Sequence, residues 1–141
     1  MTLPEPPASH AARSINVVLC DDVPALRGLM RAVLEEHEGV RVVGEAGNGA
    51  DVLPLVEELR PDIVLLDLAM PRVDGLQATP RIIAASPGTR VIGLSGFSSE
   101  QVADQMLAAG AAAYLEKGVD LDVIVATVVR VATEAPASRP G

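Results

Sequence analysis

Lysine, cysteine, phenylalanine and tyrosine each occur once in this chain, and tryptophan not at all. A lone Cys20 excludes an internal disulfide and is expected to behave as a small buried apolar residue near a strand end. Cations are scarce, and the formal net charge of −8 argues against phosphate-driven nucleic-acid binding, which needs clustered Lys and Arg to displace counterions. Long apolar runs are missing too. Hydrophobic residues make up 49% of the sequence but come in short bursts broken by charges, none approaching the roughly 20 residues of a membrane span. The opening MTLPEPPASHAARS has no apolar core of signal-peptide length. The expectation is a soluble, cytoplasmic protein with neither a membrane nor a nucleic acid as direct partner, and 141 residues suit one domain.

Residues 1–14 are rich in Pro, Ala and Ser, and the tail 133–141 is similar, so both ends are expected to be flexible extensions of a core at 15–132. In that core, runs of strand length appear at INVVLC (15–20), VRVVGEA (40–46), DIVLL (62–66), RVIGL (90–94) and AAYLE (112–116). Helical stretches alternate with them. From Pro24 to about His37, Leu26, Leu29, Met30, Val33 and Leu34 form one apolar face, with Arg27, Arg31 and Glu35 outside. Pro24 suits a first turn, and the aspartates before it can accept hydrogen bonds from free backbone N–H groups. From Leu121 to Ala132 a stripe of Leu121, Ile124, Val125, Val128, Val129 and Val131 is broader than contact with a sheet requires, which leaves room for a partner surface. Pro54 and Pro80 fall inside the helical segments 49–59 and 75–85, predicting a kink or a shifted start in each. Five near-continuous apolar strands alternating with five helices predict an α/β fold, a doubly wound parallel sheet covered on both faces.

In such sheets ligands bind beyond the carboxyl ends of the strands, at the point where strand order reverses. Strand one ends in Cys20, Asp21 and Asp22, strand three in Asp67, strand four at Ser95, and strand five runs past Tyr114 to Lys117. Three carboxylates brought together must retain a proton or bind a cation. A hard divalent ion such as Mg²⁺ suits oxygen ligands and keeps coordination positions free for a phosphate. Ser95 offers a hydroxyl donor. Lys117 offers a compact positive charge where the other ten basic residues are all arginine, so a planar fork does not serve there. Together they could hold the oxygens of a transferred phosphoryl group.

These pieces, VVLCDDVPALR, IVLLDLAMPRVDG, IGLSGF and AAAYLEKG, resemble the receiver domain of two-component response regulators from Ile15 to Ala132. The resemblance implies a (βα)5 flavodoxin-like sheet of order 2-1-3-4-5. Asp67 is then the aspartate phosphorylated by a sensor histidine kinase or a histidine phosphotransfer protein. Asp21, Asp22, Asp67 and the main-chain carbonyl of Ala69 surround Mg²⁺, for which Mn²⁺ can substitute. Ser95 and Lys117 act on the phosphoryl group, and Tyr114 is the aromatic that changes rotamer as the strand-four loop moves. Such a protein is a phosphoacceptor rather than an enzyme in the ordinary sense, with at most weak autophosphorylation and autodephosphorylation. It works by protein contact, including homodimerisation. Gly118 stands where the family usually carries proline after the lysine, so the local turn is expected to differ. A receiver cut from a helix-turn-helix DNA-binding regulator would read the same way. A pseudo-receiver working without phosphorylation shares most of the pattern. A haloacid-dehalogenase-type phosphatase would need an Asp-x-Asp after strand one, which DDVPA does not supply.

Overall fold

The computed structural model describes residues 14–68, 75–96 and 100–134. Five strands, β1 (Ile15–Cys20), β2 (Val40–Ala46), β3 (Ile63–Asp67), β4 (Arg90–Ser95) and β5 (Ala113–Glu116), alternate with α1 (Pro24–Glu36), α2 (Gly49–Leu59), α3 (Gly75–Ala85), α4 (Glu100–Ala108) and α5 (Leu121–Thr133). All strand pairings are parallel, in the order β2-β1-β3-β4-β5. The chain therefore reverses its direction of winding beside β1 and β3. That places the ends of these two strands at the switch point.

Alternation of side chains along each strand sorts the core into two layers. Val17, Leu19, Ile63, Leu65, Ile92 and Leu94 pack against α1 and α5, while Val18, Cys20, Val64, Leu66 and Val91 pack against α2, α3 and α4. Every residue of β3 is buried. Its four apolar side chains each contribute about 1.5–3 kcal/mol by leaving water, enough to fix the strand that carries Asp67.

Several expectations need correction. β3 is shifted by one residue and includes Asp67, β4 extends to Ser95, β5 begins at Ala113, and α5 continues to Thr133. Leu29, assigned to the buried face of α1, is 49% exposed, because only Met30 and Leu34 of that helix reach the sheet fully. Neither Pro54 nor Pro80 delays its helix: both segments start where the sequence pattern begins and continue past the proline. Both prolines are exposed, so a carbonyl that loses its helical partner can be hydrated. The proposed extensions at 1–14 and 133–141 lie outside the described residues apart from Ser14, Thr133 and Glu134. Among the described residues no helix is long and apolar enough to cross a membrane.

Candidate functional site

Asp21 and Asp67 follow directly from their strands. The register pairs Cys20 of β1 with Leu66 of β3, so the next residue of each strand projects from the same edge of the sheet. Both are buried, Asp67 to 1% exposure, whereas Asp22 is exposed. One carboxylate oxygen from each of Asp21, Asp22 and Asp67 lies within 4.8 Å of the other two. At an effective dielectric of about 20, two ionised carboxylates at that separation repel by about 3 kcal/mol, less where exposed Asp22 is screened by water, so nearby positive charge stabilises the cluster.

Lys117 supplies one such charge. Its Nζ donates to Asp67 Oδ2 at 2.9 Å and lies 3.3 Å from Asp21 Oδ2. Burial works against the ammonium, but its hydrogen bond to Asp67 and the charges of both aspartates outweigh it and raise the lysine above its usual range. The main chain of Lys117 is tied to β4, its backbone N–H donating to the Ser95 carbonyl at 2.7 Å. Gly118 therefore does not prevent Lys117 from reaching Asp67. No described peptide bond is cis. Ser95 is buried at the end of β4, in register with Glu116, which brings it next to Lys117 in space. Tyr114 lies half-buried on β5 against the layer formed by α2, α3 and α4.

Asp21 accepts a hydrogen bond from a free backbone N–H before α1, as expected, although neither aspartate is the N-cap residue. The N-cap of α1 is Val23, with no side-chain hydrogen bond, and Asp21 Oδ1 accepts from the Val23 N–H at 2.8 Å. The second oxygen of Asp21 is buried without a hydrogen bond, its approach to Lys117 being a charge contact that lacks hydrogen-bond geometry. A buried acceptor left in this way favours a further cation. Three carboxylates with hard oxygen donors, one of them under-satisfied, fit Mg²⁺ better than a soft metal. Ala69, expected to add its carbonyl, lies outside the described residues.

Gly75 closes the floor of this edge. A Cβ there would lie 2.5 Å from Leu68 Cδ2, 2.8 Å from Leu68 Cα and 2.9 Å from the Asp67 carbonyl oxygen, so α3 can start this close to the end of β3 only from glycine. Cys20 sits behind the acidic pair. Burial first, then the charges of Asp67 and Asp21, push its thiol up to about 12, consistent with an inert core residue.

The helical period predicts Arg27 on the outer face of α1. It is instead partly buried: Nη1 donates to the main-chain carbonyl of Asp21, and Nε donates to Glu45 Oε1 at 3.1 Å. Arg31 reaches the same glutamate at 2.8 Å. The available sequence signal was a cation in the first turn of a helix, where the macrodipole disfavours it.

A family model for the response regulator receiver domain matches residues 17–129. The chain belongs to this family. The receiver is 38% identical over 103 residues to the transcriptional regulatory protein YxjL of Bacillus subtilis, covering 73% of this chain and 47% of that protein. It is 35% identical over 117 residues to the response regulator GacA of Pseudomonas aeruginosa, covering 83% and 55%. The chain thus spans about half the length of the curated relatives it matches. Among solved structures, the signal receiver domain of NarL from Mycobacterium tuberculosis superposes with a TM-score of 0.83 at 34% identity, covering 87% of this chain and 99% of that one. CheY of Borrelia burgdorferi, in a complex with CheX, BeF3 and Mg²⁺, superposes with a TM-score of 0.79 at 25% identity, covering 85% and 90%. The sheet order agrees with the flavodoxin-like receiver fold.

Proposed function

We propose that Asp67 is the phosphoacceptor of this receiver. The observation that carries the reading is the ion pair of the buried Asp67 with Lys117 at 2.9 Å, on the same sheet edge as the acidic pair and Ser95. A carboxylate oxygen of Asp67 attacks the phosphorus of a phosphohistidine on a sensor kinase or phosphotransfer protein. The new O–P bond forms as the N–P bond breaks, and the electron pair leaves with the imidazole nitrogen. Asp21, Asp22, Asp67 and the Ala69 carbonyl would hold Mg²⁺, or Mn²⁺ in its place, and when bound the ion supplies charge neutralisation for the incoming phosphoryl group.

Lys117 offsets charge on the acceptor and then on its acyl phosphate. The product carries nearly two negative charges and strong acceptor oxygens. A hydrogen bond from the Ser95 hydroxyl to one of them favours the arrangement of the β4–α4 connection that brings the hydroxyl inward. Tyr114, opposite Gly93 in the β4–β5 pairing and so two residues along the strand from the Ser95 position, follows that movement. The output is a shift between two pre-existing states of the surface, read by a second copy or by a partner. Cytoplasmic location fits this reading.

A second reading is favoured by the half-length match to YxjL and GacA: the receiver controls an attached output domain of a transcription regulator, with DNA contact made by that domain. This acidic segment does not itself bind nucleic acid. Labelling the chain with a small-molecule phosphodonor in Mg²⁺ tests the phosphoacceptor reading. One phosphoryl adduct, absent from Asp67→Asn and from wild type in EDTA, is the expected result. No adduct under any condition supports a pseudo-receiver, and multiple turnover of the donor at a rate unaffected by Asp67→Asn supports a hydrolase centred elsewhere.

A further inference from the structure

The Arg27–Glu45–Arg31 cluster stands behind the acidic pair and has no part in the phosphoryl chemistry described above. Arg27 is the fourth residue of α1, a place where the partial positive charge of the helix N-terminus opposes a cation. Its side chain nevertheless folds back over the loop that precedes the helix and makes two directed contacts, one to the Asp21 carbonyl and one to Glu45 on β2. Glu45 stands opposite Leu19 in the β1–β2 register, and the Asp21 N–H donates to the Ala46 carbonyl at 3.0 Å. The backbone of Asp21 is thus fixed on its N–H side by β2 and on its carbonyl side by Arg27. Its carboxylate is turned by the Val23 N–H, leaving Oδ2 toward Lys117.

Glu45 also governs where the guanidinium can go. Arg27 is near enough to the aspartates for its charge to act on the Cys20 thiol beside them. An arginine without Glu45 could turn its fork onto a carboxylate, where a bidentate pair would occupy oxygens needed by a metal. Burial opposes ionisation of Glu45, but hydrogen bonds from Arg31 and Arg27 prevail and hold its carboxyl below the usual range, so it remains an anion at neutral pH. Arg31 adds a second cation to Glu45 without reaching Asp21.

We infer that Arg27, anchored by Glu45, is a positioning residue that sets the metal affinity of the receiver by fixing the backbone of Asp21. This rests on the reading of Asp21 as a ligand of Mg²⁺. Outer-shell partners of metal ligands typically change affinity by about 10–100-fold when removed, and the lower end suits a contact made through backbone.

The test is Mg²⁺ titration by calorimetry on the whole chain, with Arg27→Ala, Arg27→Lys, Arg31→Ala and Asp21→Asn. Arg27→Ala should weaken Mg²⁺ about tenfold. Arg27→Lys should recover only part of that, since one ammonium cannot span both acceptors, and Arg31→Ala should stay within about twofold of wild type. A second readout needs no metal: the Val23 amide should exchange with solvent faster in metal-free Arg27→Ala than in metal-free Arg31→Ala. Should Arg27→Ala not fold, the lysine variant carries both measurements. Equal Mg²⁺ affinity in wild type and the Arg27 variants, alongside loss in Asp21→Asn, overturns the positioning role. Absence of Mg²⁺ binding by wild type overturns the metal site itself, and unchanged Val23 exchange would then remove the backbone role as well.

Discussion

Replacing Lys117 by methionine leaves a side chain of similar length without charge, facing two buried carboxylates. In wild type the ammonium lies 2.9 Å from Asp67 and 3.3 Å from Asp21. Removing one member of a fully buried ion pair costs about 3–5 kcal/mol, because the remaining charge stays desolvated. The Lys117 side chain is 25% exposed, so water screens part of that interaction and can enter the gap. A loss of about 2 kcal/mol is the expected outcome at neutral pH in EDTA. For a domain of this size that is about 6–8 °C in Tm.

Urea unfolding followed by far-UV circular dichroism is the suitable assay, since the chain has no tryptophan. The pH dependence gives an independent check. The folded-state pKa of Lys117 is raised, so the stability it contributes is fully present below the unfolded lysine value of about 10.4 and is lost as pH rises through the folded value. The gap between wild type and Lys117→Met should therefore hold steady from neutral pH to about pH 10 and close above it. Mg²⁺ should restore more stability to the variant than to wild type, because in the variant it meets carboxylate charge that no lysine offsets. Coincident unfolding midpoints in EDTA at neutral pH would refute the claim that Lys117 balances buried charge.

Cys20 should be labelled by an alkylating reagent at pH 8 about a thousandfold more slowly in the native chain than in urea, because a thiol pushed up to about 12 supplies almost no thiolate; a native rate near that of free cysteine would contradict this. Gly75→Ala must displace the backbone at the end of β3, so thermal melts should show a loss of about 1–3 kcal/mol and phosphoryl labelling should slow, whereas a neutral effect on both would contradict the close approach. Ser95→Ala should still accept a phosphoryl group but show smaller chemical-shift changes along β4 and β5 on phosphorylation; wild-type-sized changes would remove Ser95 from the switch.

Much of the fold was legible because its signals are local. Five short apolar runs of strand length and the stripes on α1 and α5 need no knowledge of tertiary contacts. The same is true of the site's ingredients: Asp67 ends an apolar run, Asp21 and Asp22 end another, and the single lysine follows a third. Parallel order then brings them to one edge. What could not be read depends on contacts across the fold. Arg27 and Glu45 are 18 positions apart and meet only once β2 pairs with β1, so the helical wheel assigned Arg27 to solvent. Leu29 satisfies the helix period yet misses the sheet, because the period describes a face and not how far the neighbouring layer extends. The prolines predict a kink or a shifted start because their cost is local, but α2 and α3 begin where the pattern begins and carry them at exposed positions. The acidic pair could have capped α1, and only the turn geometry shows Asp21 bonded to Val23 instead.

The central claim is that Asp67 itself carries the phosphoryl group, and the most direct measurement is chemical. Borohydride reduction of the phosphorylated chain converts an acyl phosphate of aspartate to homoserine, which peptide sequencing by mass spectrometry locates. Homoserine at position 67 alone, dependent on Mg²⁺ during labelling, is the predicted result. Homoserine at Asp21 or Asp22 with position 67 intact, or a phosphoryl group that resists reduction altogether, would contradict it.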